Sequence, residues 1–143
     1  MKRFVDTNIL IYAVSPSPRE AEKRRIAQDL LGRDDLALSV QVLQEFYHQV
    51  TRPTRPHALT HAQAMGFIRI VDPLPVQELT FDLFLAAVSI TQRFRMSYWD
   101  GAILAAARAC DCDIVYSEDL SAGQLYDGTR VVNPFADVPE QQG

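Results

Sequence analysis

Short apolar runs that stop at a helix-capping residue alternate along this chain with longer helical stretches, and that alternation constrains the fold most. Arg3-Phe4-Val5 reads as a buried strand. It ends at Asp6-Thr7-Asn8, three residues that cap helices well. Ile9 to Val14 reads as a short helix, halted by Ser15-Pro16-Ser17-Pro18. A charged amphipathic helix follows from Arg19 to Leu31, with Ala27, Leu30 and Leu31 inward and Gly32 just past its end. Leu36-Ala37-Leu38 is a second strand, and Ser39 caps a helix from Val40 to Thr51. Its Leu43, Phe46, Tyr47 and Val50 recur at helical spacing, and Pro53 and Pro56 end the element. Thr60 opens a helix to Ile70, Thr80 one to Phe94, and Ser97 one from Tyr98 to Ala109. The last is alanine-rich and apolar on most sides, the pattern of a buried helix. Ile114-Val115-Tyr116 and Arg130-Val131-Val132 complete the strands.

Short strands separated by helices predict an α/β fold, with a parallel sheet covered on both faces. The 143 residues, 48% of them hydrophobic, suffice for one domain, expected over residues 1–135 with a flexible tail at 136–143. Ligands of such sheets bind beyond the carboxyl ends of the strands. Asp6 and Asp119 follow predicted strands, Glu45 lies early in a helix after one, and Asp100 stands in a helix's first turn.

Acids gathered at one sheet edge, with no His or Cys partner, favour a hard divalent cation such as Mg²⁺ or Mn²⁺. Chemistry on phosphate esters follows from that choice. Each acid alone also has an ordinary explanation. Asp6 is a helix cap or turn residue. Glu45 shares a polar helix face with Gln41, His48 and Arg52. Asp100 completes the Ser-x-x-Asp spacing of a capping box with Ser97. Asp119 is a turn acid beside Glu118, and of these two Asp119 is the preferred inward-facing residue, with Glu118 as a helper. The residues by themselves leave both readings open.

Several classes are excluded. The net charge of −4 rules out a basic field that coats nucleic acid, so RNA or DNA contacts must be local. Arg52 and Arg55, near His57, are the best such candidates because their loop follows the helix of Glu45; Arg93 with Arg95 is a further pair, while Lys23-Arg24-Arg25 reads as solvated surface. Cys110 and Cys112 are too close in sequence for an unstrained disulfide and match no zinc pattern. His48, His57 and His61 lack triad partners, and no Gly-rich phosphate loop is present. Asn8 stands two residues after Asp6, where a haloacid-dehalogenase-type phosphatase needs an aspartate. Lys2 and Arg3 are followed by no apolar leader, and no run approaches the roughly 18 apolar residues of a membrane span, which points to a cytoplasmic chain.

The ordered segments resemble one family. Phe4-Val5-Asp6-Thr7-Asn8-Ile9-Leu10-Ile11-Tyr12, Leu43-Gln44-Glu45-Phe46, Ser97-Tyr98-Trp99-Asp100-Gly101, Tyr116-Ser117-Glu118-Asp119-Leu120 and Val132-Asn133-Pro134-Phe135 are similar to the motifs of PIN-domain ribonucleases, within them the VapC-type toxins. Ser117 stands where many relatives carry threonine, and the hydroxyl is kept. The resemblance implies a three-layer α/β/α sandwich around a short-stranded parallel sheet. It implies Mg²⁺-dependent endonucleolytic cleavage of RNA, with Mn²⁺ as a substitute, and a cognate antitoxin that enters the active-site groove. A homodimer is common among such proteins. On this reading Asp6, Glu45, Asp100 and Asp119 are catalytic, and Asp6, Asp100 and Asp119 hold metal. Asn8, Ser117 and Glu118 support them. The alternatives are a PIN-type nuclease of RNA processing without an antitoxin, and a non-catalytic binding module.

Overall fold

A computed structural model describes residues 2–139. The chain runs β1 (Lys2–Val5), α1 (Thr7–Ala13), a 3₁₀ turn (Pro18–Glu20), α2 (Ala21–Leu31), β2 (Leu36–Ser39), α3 (Val40–Thr51) and α4 (His61–Val71). It continues through β3 (Val76–Gln77), α5 (Phe81–Phe94), α6 (Tyr98–Ala109), β4 (Cys112–Tyr116), β5 (Leu125–Tyr126) and β6 (Thr129–Val132). The predicted caps are in place: the side chains of Ser39, Thr60, Thr80 and Ser97 each accept a backbone N–H of the first turn they precede. Helix α1 starts at Thr7, two residues before the sequence expectation, because Asp6 itself is the cap.

The sheet order is β3-β2-β1-β4-β6-β5. All pairings are parallel except β5 with β6, so the sheet is mixed where a parallel one was expected. The two additions, β3 and β5, are two-residue strands too short to leave a periodic signal. From β1 the chain adds β2 and β3 on one side and then returns to place β4 on the other. The carboxyl ends of β1 and β4 therefore flank the point where the strand order reverses, the crevice in which α/β sheets bind ligands.

Helices α1, α2, α3 and α4 pack among themselves, while α5 pairs with α6, which lies on β2, β4 and β6. Right-handed crossovers in opposite directions put these two sets on opposite faces, giving the α/β/α sandwich. Phe4 and Val5, adjacent on β1, are both fully buried, as a central parallel strand covered on both faces requires. The tail expected from residue 136 is described to 139, where Val138 packs against the core; residues 140–143 lie outside the described residues. No helix among the described residues is long and apolar enough to cross a membrane.

Candidate active site

Asp6 takes its position from the end of β1. Its backbone N–H donates to the Tyr116 carbonyl at 3.0 Å, so the last residue of β4 fixes the point at which β1 turns into α1. The side chain is 6% exposed. Oδ1 accepts the Thr7 N–H at 2.7 Å, and Oδ2 accepts the Ser117 hydroxyl at 2.7 Å. Burial pushes the Asp6 carboxyl up from its ordinary value to about 6. The Ser117 and Thr7 hydrogen bonds oppose the shift, and the negative charges of Asp119 and Glu45 add to it. Asp6 thus feels both Asp119 and Glu45, although the three come from separate segments.

Ser117, fully buried after β4, saturates its hydroxyl. The O–H goes to Asp6 while Oγ accepts the backbone N–H of Asp119 at 3.1 Å and of Leu120 at 3.2 Å. One small side chain therefore orients the first acid and folds the turn that carries the fourth. Asn8 adds a second link, donating Nδ2–H to Asp119 Oδ2 at 3.2 Å and accepting the Glu118 N–H at 3.3 Å.

Of the adjacent acids at 118 and 119, Asp119 is the one tied to the Asp6 side. Glu118 turns to α1 and α2: Tyr12 donates its hydroxyl to Oε1 at 2.5 Å, and Lys23 Nζ reaches Oε2 at 2.7 Å. The Lys23 ammonium also lies 4.8 Å from the Tyr12 ring centre. Burial, then the bond to Glu118, raises the Tyr12 phenol to about 12.

Glu45 lies half-buried in the second turn of α3, where Gln41, four residues earlier, donates Nε2–H to its Oε1 at 2.7 Å. The same amide reaches the Trp99 carbonyl at 3.4 Å. Gln41 thereby joins Glu45 to the start of α6, one residue from Asp100. The sequence placed Gln41 only on a polar face; its i,i+4 spacing to Glu45 was the signal for a supporting role. At Asp100 only half of a capping box forms: the Asp100 N–H donates to Ser97 Oγ at 3.1 Å, with no return bond from the Asp100 carboxylate among the described residues. That carboxylate is free for another task.

Among the described residues no three acidic, His or Cys side chains are drawn close enough to enclose an ion. A Mg²⁺ ion does not demand that, since it keeps several waters and takes one or two carboxylates directly. The all-oxygen donor set and the buried, charge-opposed Asp6 fit such an ion. Arg52 and Arg55 are not brought to the acids. Arg52 follows Glu45 by seven residues of helix, about 10 Å along an axis that leads away from the carboxyl end of β2. A cavity of about 590 Å³, lined by Leu83, Ile90, Arg93 and Arg108 between α5 and α6, contains none of the four acids.

A family model described as PIN domain matches residues 3–126. The chain belongs to the PIN domain family. Curated protein sequences contain no significant match. Solved structures do resemble this PIN domain. A toxin–antitoxin complex from Klebsiella pneumoniae is 19% identical with a TM-score of 0.69, over 93% of this chain and 98% of that one. Mycobacterium tuberculosis VapC20, described as a sarcin-ricin loop cleaving toxin, is 21% identical with a TM-score of 0.63, over 82% and 90%. FitAcB from Neisseria gonorrhoeae is 17% identical with a TM-score of 0.61, over 94% and 99%. At these identities the likeness concerns the fold.

Proposed function

We propose that this PIN domain is a Mg²⁺-dependent endoribonuclease of the cytoplasm and the toxin of a toxin–antitoxin pair. The observation that carries the nuclease reading is Asp6, a carboxylate almost removed from water whose ionisation is opposed by burial and by Asp119 and Glu45. A buried acid facing like charges is unfavourable for stability alone, and a divalent cation relieves it. Asp6, Asp100 and Asp119 would hold the ion, one or two of them directly and the rest through its waters, with Glu45 beside them. When bound, the ion supplies charge neutralisation at the phosphate and a more acidic water. The protein's own contribution is orientation: Thr7 and Ser117 aim Asp6, Asn8 aims Asp119, and Gln41 aims Glu45.

The toxin reading and a cognate antitoxin partner draw support from the neighbours, which their descriptions call a toxin or a toxin–antitoxin complex. A homodimer is supported by α5, where Phe81, Phe84, Leu85 and Val88 recur at i, i+3, i+4 and i+7 with exposures of 67, 47, 49 and 38%. Such a stripe on a helix is an interface pattern. Purified protein is expected to cleave RNA in Mg²⁺ and to stop in EDTA. Asp6→Ala and Asp100→Ala are expected to abolish cleavage while leaving the circular dichroism spectrum unchanged. Full activity in either variant refutes the site. Induced expression is expected to arrest growth of the native host, and unimpeded growth argues against a toxin. Leu85→Glu is expected to sediment as a monomer.

A further inference from the structure

The Trp99 side chain bonds to none of the four acids, yet the residue is 66% exposed immediately before Asp100. An indole left in water beside functional acids is an unusual arrangement, because tryptophan is highly buried on average. Its position is well held. The Trp99 carbonyl accepts the Gln41 amide that also bonds Glu45. Its ring meets Tyr98 at 5.1 Å and 77°, and Tyr98 in turn rests against Phe84 at 5.8 Å. The main chain is tied to the acids and the ring is braced from one side, so the indole is presented rather than loose.

Resting on the ribonuclease reading, we propose that Trp99 is a stacking platform for one nucleobase of single-stranded RNA, next to the phosphate held at the acids. Charge favours this occupant's mode of binding. The chain carries a net charge of −4, so no broad basic field holds the strand, and stacking adds affinity beside whatever local phosphate contacts exist. Uncharged stacking tolerates an acidic surround, and every base offers a π-face. Through Tyr98 and Phe84 the ring adjoins the α5 stripe, but its chain neighbour Asp100 is a carboxylate, which an apolar subunit interface would have to desolvate.

Trp99 is the only tryptophan in the chain, so its emission reports the platform directly. The test titrates wild-type protein, in Ca²⁺, with a labelled single-stranded oligoribonucleotide about ten nucleotides long, within the range that one small domain covers. Binding is followed by anisotropy of the label and by indole emission together. Quenching that tracks the anisotropy is expected. Trp99→Ala is expected to weaken binding and raise KM for RNA cleavage about tenfold, and Trp99→Phe to recover most of that loss. The slope of log affinity against log salt is expected to stay unchanged in Trp99→Ala, because no phosphate contact is lost. Binding with unaltered emission, or an unchanged KM in Trp99→Ala, overturns the platform alone. No binding at all in any metal condition removes the ribonuclease reading and the platform with it. Loss of self-association in Trp99→Ala assigns the ring to a subunit interface and overturns the proposal.

Discussion

The Ser117 hydroxyl donates to Asp6 Oδ2 at 2.7 Å and joins the ends of β4 and β1 across the point where the sheet reverses direction. Its Oγ simultaneously accepts two backbone amides, those of Asp119 and Leu120. Ser117→Ala strands a buried carboxylate oxygen and two amides. The expected cost is about 1–3 kcal/mol of stability. The Asp6 carboxyl is expected to move further up, since one of the bonds that lowers it is gone. Urea denaturation measures the first effect and carboxyl NMR titration the second. An unshifted Asp6 resonance would contradict the role given to Ser117.

The Asp6 shift makes a prediction with a definite sign. The carboxyl titrates near its ordinary value of 3.8 when unfolded and at about 6 when folded. Between these values the native state binds more protons than the unfolded state, so stability falls as pH rises from about 4 to about 6. Above that window the charged form costs roughly 3 kcal/mol. Asp6→Asn removes this cost but loses the Ser117 donor, since Oγ already accepts two amides; that loss is about 1 kcal/mol. Metal-free Asp6→Asn is therefore expected to be more stable than wild type at pH 7 by about 1–2 kcal/mol, and to lack the decline between pH 4 and 6. Denaturation in EDTA across pH checks both, and a less stable variant at pH 7 would mean that burial of the charge is not limiting.

Lys23, Tyr12 and Glu118 form a clamp that α2 and α1 place on the turn bearing Asp119. Phe135 extends it, its ring 4.9 Å from Tyr12 and 5.8 Å from the Lys23 ammonium. Lys23→Met is expected to lower stability by only about 1 kcal/mol, because the pair is partly solvated. Its larger effect is expected to be local, as faster amide exchange at residues 118–120. Unchanged exchange there would show that Ser117 and Asn8 hold the turn without the clamp.

The sequence made the strand-end positions of Asp6 and Asp119 legible because each follows a run that is buried on both sides, and the capping residues at 39, 60, 80 and 97 marked where helices begin. Asp127-Gly128 between Tyr126 and Thr129 was also readable. Both residues have positive φ, 49° and 87°, the requirement of a tight hairpin turn, yet the strand before it has only two residues. The distance of Arg52 and Arg55 from the acids was not legible, because adjacency to the helix of Glu45 says nothing about which end of that helix faces the sheet edge. The turn of Glu118 toward Lys23 is a contact across 95 residues, invisible to local spacing.

Gly101, directly after Asp100, sets how closely α5 and α6 approach. A Cβ at this position would collide with Thr91 Oγ1 and lie 3.0 Å from the Ala87 carbonyl oxygen. Thr91 cannot easily yield, since its hydroxyl donates to that same carbonyl at 2.8 Å. Gly101→Ala gains up to about 1 kcal/mol of helix propensity, but overpacking costs about 1–3 kcal/mol. A net loss of up to about 2 kcal/mol is expected. The helices must separate next to the residue that carries the third acid, so RNA cleavage is expected to fall more than stability does. Thr91→Ser with Gly101→Ala removes one methyl but retains the hydroxyl that obstructs, and is expected to rescue little, whereas Thr91→Ala with Gly101→Ala removes the obstruction and is expected to restore much of both. Equal stability of Gly101→Ala and the Thr91→Ala double variant would show that the close approach of α5 and α6 does not limit the fold.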